Sequence, residues 1–158
     1  MRVHASEQVI RTARLLLEPL TVAHAPAMLA LLGDPAIYTY LDYGPPASLE
    51  HLQRVYAQLE TRRSPDGSEE WLNWIVVRDG APVGLVQATI YADGSANVAY
   101  VFGSAHWGQG YAFEAVTAML AALDGCKFFA TVDPRNARSI RLLERLGFRY
   151  VGGERYER

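Results

Sequence analysis

The apolar and polar positions of this chain change period several times, and each change marks an element. Residues 14–20, RLLLEPL, form a short apolar run with Pro19 near its end, the pattern of a first strand closed by a proline. From Thr21 the spacing turns helical. Ala25, Met28, Leu29 and Leu32 fall on one face, Thr21 stands where a cap is wanted, and Gly33 stops the helix. Residues 34–46, DPAIYTYLDYGPP, hold no sustained period and read as a loop or short turns. Ser48 opens a second helix in which Leu49, Leu52, Val55, Tyr56 and Leu59 recur at helical spacing, and RRSPDGSEE, 62–70, is a polar connection.

The chain then alternates as β-structure does. WLNWIVV, 71–77, and PVGLVQATIY, 82–91, flank an Arg78-Asp79-Gly80 turn as a hairpin, and Asp93-Gly94 turns the chain into a third strand, Ala96 to Phe102. Phe113, Val116, Leu120 and Leu123 line one face of a helix ended by Gly125. KFFATVD, 127–133, is a strand halted by Pro134. Asn136 stands at the cap of a last helix that turns Ile140, Leu143 and Leu146 to the core and stops at Gly147, and FRYV makes a final strand. The order β-α-α-β-β-β-α-β-α-β has no repeat and no long linker. It predicts one domain over residues 1–158, an α/β (α+β) fold with a mixed central sheet and helices on both faces.

Composition narrows the function. Half of the 158 residues are apolar, enough to remove roughly two-thirds of the unfolded surface from water in one core. The formal charge of −2 supplies no basic field for nucleic acid or an anionic membrane, so neither partner is expected. Lys127 is the lone lysine, and arginine carries the remaining cationic charge. Cys126 is the lone cysteine, which excludes an intrachain disulfide and a cysteine-cluster zinc site, and His4, His24 and His51 lack metal-ligand spacing. No metal is expected. No stretch reaches ~18 consecutive apolar residues, and MRVHASEQVI lacks the apolar centre of a signal peptide, so a soluble cytoplasmic protein is expected.

Candidate chemistry begins at HWGQGYAFEA, 106–115. A P-loop is excluded because no lysine stands near this loop, and a dinucleotide fingerprint is weakened because Phe113 occupies the third glycine position. What survives is a strand, a loop with Gly108 and Gly110, a small Ala112, and a helix entered at once. Free main-chain N–H groups at the positive end of that helix suit a diphosphate without any cationic side chain. Taken by themselves, the glycines fit a tight turn equally well.

The wider pattern decides between them. WGQGYA with Glu114-Ala115, the strand KFFATVD, Asn136, Ser139, LLERLGF at 142–148 and the opening TARLLLEPLT at 12–21 together resemble the GCN5-related N-acetyltransferase (GNAT) superfamily. More narrowly, they resemble the branch that includes the bacterial enzymes acetylating ribosomal-protein N-termini. The resemblance implies acetyl-CoA as donor, its pyrophosphate on the amides of Trp107, Gly108, Gln109, Gly110, Tyr111 and Ala112, and its pantetheine arm along the strand ending Tyr100-Val101-Phe102. Tryptophan replaces the family's usual first loop residue, so that position offers no side-chain contact to phosphate. A main-chain N–H at Val101 or Phe102 is the candidate donor to the oxyanion. The resemblance makes Ser139 the acid for the departing thiolate and Asn136 the holder of the pantetheine arm or a water. Both residues also read as ordinary first-turn types, Asn136 as an N-cap.

A base is less defined. Relatives place a carboxylate where SANVAY offers Asn97, leaving Glu69, Glu70, Asp133 and His106 as candidates through water. Glu114 is expected to face away from the phosphates and fix the loop. Arg138, Arg141 and Arg145 share a face, and read either as solvent-facing or as reaching the ribose phosphate. Tyr38, Tyr40, Tyr43, Trp71 and Trp74 are candidate walls of the acceptor site or core aromatics. Only ERYER follows Gly152-Gly153, so the family's last strand is expected to be stunted, cut short or supplied by a second copy in a homodimer. The expected function is acetyl transfer to a primary amine, a protein N-terminus or a small molecule. The alternatives are a coenzyme A-binding module without catalysis and an interaction domain without ligand.

Overall fold

The computed structural model describes residues 8–158, so His4 and the first seven residues of MRVHASEQVI lie outside the described part. Its elements in order are β1 (Ile10–Arg11), β2 (Leu16–Pro19), α1 (Ala25–Leu32), α2 (Leu49–Glu60), β3 (Glu70–Arg78), β4 (Ala81–Ile90) and β5 (Ser95–Phe102). These are followed by α3 (Tyr111–Ala122), β6 (Lys127–Thr131), α4 (Ala137–Arg145), β7 (Arg149–Gly152) and β8 (Arg155–Glu157). Short 3-10 turns cover Val22–His24, Pro35–Tyr38 and Ser104–His106. The strands form one mixed sheet in the order β1-β2-β3-β4-β5-β6-β8-β7, with β5 and β6 the parallel pair.

The caps read from the sequence are present. Ser48 accepts from the His51 N–H at the start of α2, and Asn136 accepts from the Ser139 N–H at the start of α4. Thr21 caps the 3-10 turn that leads into α1, in a reciprocal box with His24. Alternation along the strands then feeds two cores. Trp74, Val86, Ala88, Val98 and Phe102 pack with Tyr111, Val116, Met119 and Leu143 on the α3/α4 face. Ile75 and Leu85 pack with Met28, Leu52 and Tyr56 on the α1/α2 face. Helices therefore cover both sides of the sheet, as the pattern predicts.

Two strands go beyond the expectation. The two-residue β1 is too short to carry a period. The ending is a correction to the expectation of a missing or borrowed strand: ERYER supplies β8, short at three residues, which enters the sheet between β6 and β7. Its single apolar residue, Tyr156, is buried and sits opposite both Ala130 and Tyr150, enough to hold a three-residue strand with a partner on each side. The place expected for a partner's strand is filled by the chain itself.

One departure from regular pairing shapes the site. β5 pairs β4 along its length from Ala96 to Phe102 but pairs β6 only over Ser95–Asn97. Past Asn97 the two strands separate, and the half-strand Val98–Phe102 keeps one free edge.

Candidate active site

A cleft of about 570 Å³ opens where β5 and β6 part. Its lining joins the free edge of β5, Trp107 and Ala112 of the glycine loop, Thr131 and Asp133 after β6, Asn136, Arg138 and Ser139 of α4, and Tyr40 and Tyr43 of the 34–46 loop. Sequence-distant segments thus converge on one volume, and both Ser139 and Asn136 are among them.

The glycine loop forms one end. Gly108 and Gly110 both adopt left-handed backbone, with φ of +76° and +82°. Gly110 takes the N-cap position of α3 in that conformation and has no side-chain cap. Among the described residues, nothing accepts from the main-chain N–H groups of residues 108–113, although the Glu114 N–H is bonded to the Gly110 carbonyl. Several orphan donors at one helix start, on a loop kept slim by glycine, are what a diphosphate requires. The Trp107 indole N–H is spent on the Phe102 carbonyl at 2.8 Å, so this side chain braces the loop against β5 rather than reaching for a ligand.

The loop is held from outside by residues that periodicity does not single out. Arg14 bonds the Gln109 carbonyl through Nη1 at 2.8 Å and Glu114 Oε1 through Nε at 2.7 Å. Glu114 also accepts from the Arg14 N–H at 2.9 Å and from the Thr12 hydroxyl at 2.5 Å. Burial pushes the Glu114 carboxyl up, yet these donors outweigh it and hold the group below the usual range. Glu114 therefore faces away from the orphan amides and fixes the loop, as expected. The buried Tyr111 ring lies under Arg14 and Arg78, and its hydroxyl bonds Gln109 Oε1 at 3.0 Å and the Arg78 guanidinium.

Pairing decides which β5 amides are free. Gly103 donates to the Val83 carbonyl, so by antiparallel alternation the Val101 N–H is turned to β4, while those of Tyr100 and Phe102 point to the cleft. Of the two oxyanion donors suggested by the sequence, Phe102 alone offers a free N–H. Val101 contributes lining instead.

Across the cleft, Ser139 Oγ lies 2.5 Å from the Tyr100 hydroxyl. Burial pushes this phenol up to about 12, and the bond to Ser139 opposes the shift without reversing it. Asn136 caps α4 through Oδ1, and its side-chain nitrogen has no partner among the described residues. The sequence reading did not single out Tyr100, because an aromatic on a strand carries the same signal as a core residue.

The candidate bases separate on geometry. Asn97, Glu69, Glu70 and His106 do not line the cleft. Asp133 does, but Arg135 holds it in two bonds of 3.0 and 2.8 Å and brings its carboxyl down to about 2, a poor proton acceptor. The five aromatics divide between the two readings offered for them. Trp74 is fully buried in the α3/α4 core and gives its indole N–H to the Gln8 carbonyl, and Trp71 is tied to Glu69 outside the cleft. Tyr38 donates to the Leu32 carbonyl and packs edge-on against Tyr43 at 5.9 Å, leaving Tyr40 and Tyr43 on the lining. Of the three arginines on α4, Arg138 lies over the Trp107 ring at 3.9 Å and lines the cleft, and Arg145 lies over Phe113.

A family model described as an acetyltransferase (GNAT) domain matches residues 14–149. An uncharacterized N-acetyltransferase, p20 of Bacillus licheniformis, is 26% identical over 151 residues, covering 92% of this chain and 84% of that protein. An acetyltransferase structure from Thermus thermophilus superposes with a TM-score of 0.75 at 25% identity, over 96% of this chain and 99% of the other. The ribosomal L7/L12 alpha-N-protein acetyltransferase RimL, solved in complex with coenzyme A, superposes with a TM-score of 0.81 at 18% identity, over 96% and 97% of the two chains.

Proposed function

The chain belongs to the GNAT acetyltransferase family, and from that premise we propose that it moves an acetyl group from acetyl-CoA directly to a primary amine, both held in one cleft. The observation that carries the reading is the run of unbonded N–H groups over residues 108–113 beside the unpaired edge of β5. Together they match a diphosphate followed by an amide-bearing arm that pairs as an added strand. The donor-binding residues are Phe102, Trp107, Gly108, Gln109, Gly110, Tyr111 and Ala112, with Val101 as lining and Asn136 offering its free side-chain nitrogen to the arm. These groups fit coenzyme A, which supplies the acetyl group as a thioester.

In this reading the Phe102 N–H donates to the carbonyl oxygen as it gathers charge, a contribution of roughly 3 to 4 kcal/mol in acyl transfer. Ser139 Oγ–H gives its proton to the departing sulfur. Arg135 keeps Asp133 ionised and occupied, so no dedicated base is assigned. The amine enters unprotonated past Tyr40 and Tyr43 and sheds its proton to water at the mouth, where Asp42 and Glu154 stand. The missing base also motivates a second reading, a coenzyme A-binding module without turnover.

One experiment separates them. Acetyl-CoA raises the melting temperature under both readings. Release of free thiol with one class in a panel of peptides with free N-termini, amino acids, polyamines and aminoglycosides supports transfer, whereas a thermal shift with no thiol from any amine supports the binding module. No shift at all overturns both.

A further inference from the structure

Two hydroxyls share one bond across the cleft, and only one of them belongs to the machinery already assigned. Tyr100 sits on the free half of β5, Ser139 in the first turn of α4, and their oxygens are 2.5 Å apart. Both residues line the cleft. A phenol is a stronger acid than an alcohol, hence the stronger donor, and the alcohol oxygen is the better acceptor. Burial raises the phenol further and keeps it protonated through neutral and mildly alkaline pH.

We propose that Tyr100 is a positioning residue: its hydroxyl donates to Ser139 Oγ, fixes that side chain's rotamer, and leaves the single Ser139 proton free to point into the cleft at the thioester sulfur. This rests on Ser139 being the acid. Serine in a helix otherwise tends to return its proton to the carbonyl four residues back, here that of Arg135. No such bond is present; the bond that Ser139 Oγ makes is to Tyr100. The bond gives a serine without a base or acid of its own a defined direction, at the strand along which the arm is placed. During transfer, the carbon–sulfur bond breaks and its electron pair stays on sulfur. The sulfur takes the Ser139 proton, the Tyr100 proton follows onto Ser139 Oγ along the bond between them, and solvent returns a proton to the phenolate.

Binding of coenzyme A tests this without an acceptor. A directed Ser139 proton stabilises the bound thiolate, so the thiol titrates lower when bound than when free. Affinity for coenzyme A then rises with pH, relative to desulfo-coenzyme A, which lacks the sulfur. Taking the ratio of the two ligands cancels the contribution of protein groups around the cleft, whose charged members are Asp42 of the 34–46 loop, Asp133 after β6, Glu154 of the β7–β8 turn and Arg138 of α4.

Calorimetry from about pH 6.5 to about pH 9 is expected to show the ratio rising severalfold, up to about tenfold, in the unaltered protein. It should stay flat in Tyr100→Phe and in Ser139→Ala, with desulfo-coenzyme A bound equally by all three. A Tyr100→Phe protein that keeps the rise overturns the proposal and leaves Ser139 standing. A Tyr100→Phe protein that loses affinity for both ligands alike, with the rise intact, shows a packing role and overturns it too. A flat ratio in the unaltered protein overturns Ser139 as the acid, and this inference with it.

Discussion

Arg14 and Glu114, one hundred positions apart, meet with Nε 2.7 Å from Oε1, and the same guanidinium reaches the Gln109 carbonyl at 2.8 Å. The pair ties the β1–β2 turn to the first turn of α3 and faces a loop carbonyl away from the cleft, leaving the loop's amides to the other side. Removing the guanidinium should loosen that arrangement without touching a ligand. Arg14 is 41% exposed, so the bond is partly screened. Arg14→Ala is expected to raise the Kd for coenzyme A about three- to tenfold by calorimetry, consistent with one charge-assisted bond discounted for solvent. An unchanged Kd would show the loop to be held by its glycines alone.

Glu114 carries the pH signature of the same joint. Its carboxyl is held below the ordinary value of 4.5 in the fold, so it contributes stability that is complete above about pH 4.5 and is lost as pH falls through the lowered value. Glu114→Gln has no such charge to lose. Urea titrations between about pH 3 and about pH 7 should therefore show the variant less stable near neutrality, by about 1 to 2 kcal/mol, with the gap narrowing as the medium becomes acidic. A gap that stays constant with pH would mean that the ionised form is not what the Thr12 and Arg14 donors recognise.

What the sequence discloses depends on whether a residue's role is local. The caps Ser48 and Asn136 and the left-handed Gly110 act within a few positions of themselves, so their types and spacing state their function. Tyr100 and Arg14 act through partners 39 and 95 or more positions away, and nothing in their neighbours distinguishes them from a strand aromatic or a surface cation. Trp74 marks the same limit: an aromatic in the strand next to β4 reads equally as a wall or as core, and the pleat decides for the core. β8 was hidden because a three-residue strand with one apolar side chain is stabilised by its two neighbours, not by its own pattern.

Gly110 tests the diphosphate placement. Its φ of +82° strains any other residue, and a Cβ there would lie 3.3 Å from Arg14 Nη2. Gly110→Glu adds bulk and a like charge where phosphate oxygens are assigned. Coenzyme A binding should become undetectable by calorimetry while circular dichroism still reports a folded protein. Retained affinity would move the diphosphate away from this loop.

Arg135 links two residues of the cleft lining, Asp133 and Tyr40. It grips Asp133 through two bonds and stands over the Tyr40 ring at 5.7 Å, joining the β6–α4 connection to the 34–46 loop. Arg135→Ala should release Tyr40 and let the Asp133 carboxyl return upward from about 2. Once an acceptor is in hand, its KM is expected to rise about two- to fivefold, the range of an exposed cation–π contact, with the Kd for coenzyme A unchanged. A change in the Kd instead would place Arg135 on the donor side.

Gly84 is required by volume and not by dihedral freedom. It lies opposite Phe102 on β4, and a Cβ there would sit 2.5 Å from Phe102 Cδ2 and 2.5 Å from the Val101 carbonyl oxygen. Neither neighbour can yield cheaply, since the ring is packed in the core and the oxygen belongs to the strand ladder. Gly84→Ala is therefore expected to cost about 1 to 3 kcal/mol, lowering Tm by roughly 2 to 4 °C for each of them. The clash falls on the residue whose N–H is assigned to the oxyanion, so kcat should fall by more than the loss of folded protein accounts for. Trimming the ring with Phe102→Leu in the Gly84→Ala background should recover only part of the Tm, because the contact with the Val101 carbonyl remains. Full recovery would locate the whole strain in the ring and leave the β5 backbone free to accept a side chain at Gly84.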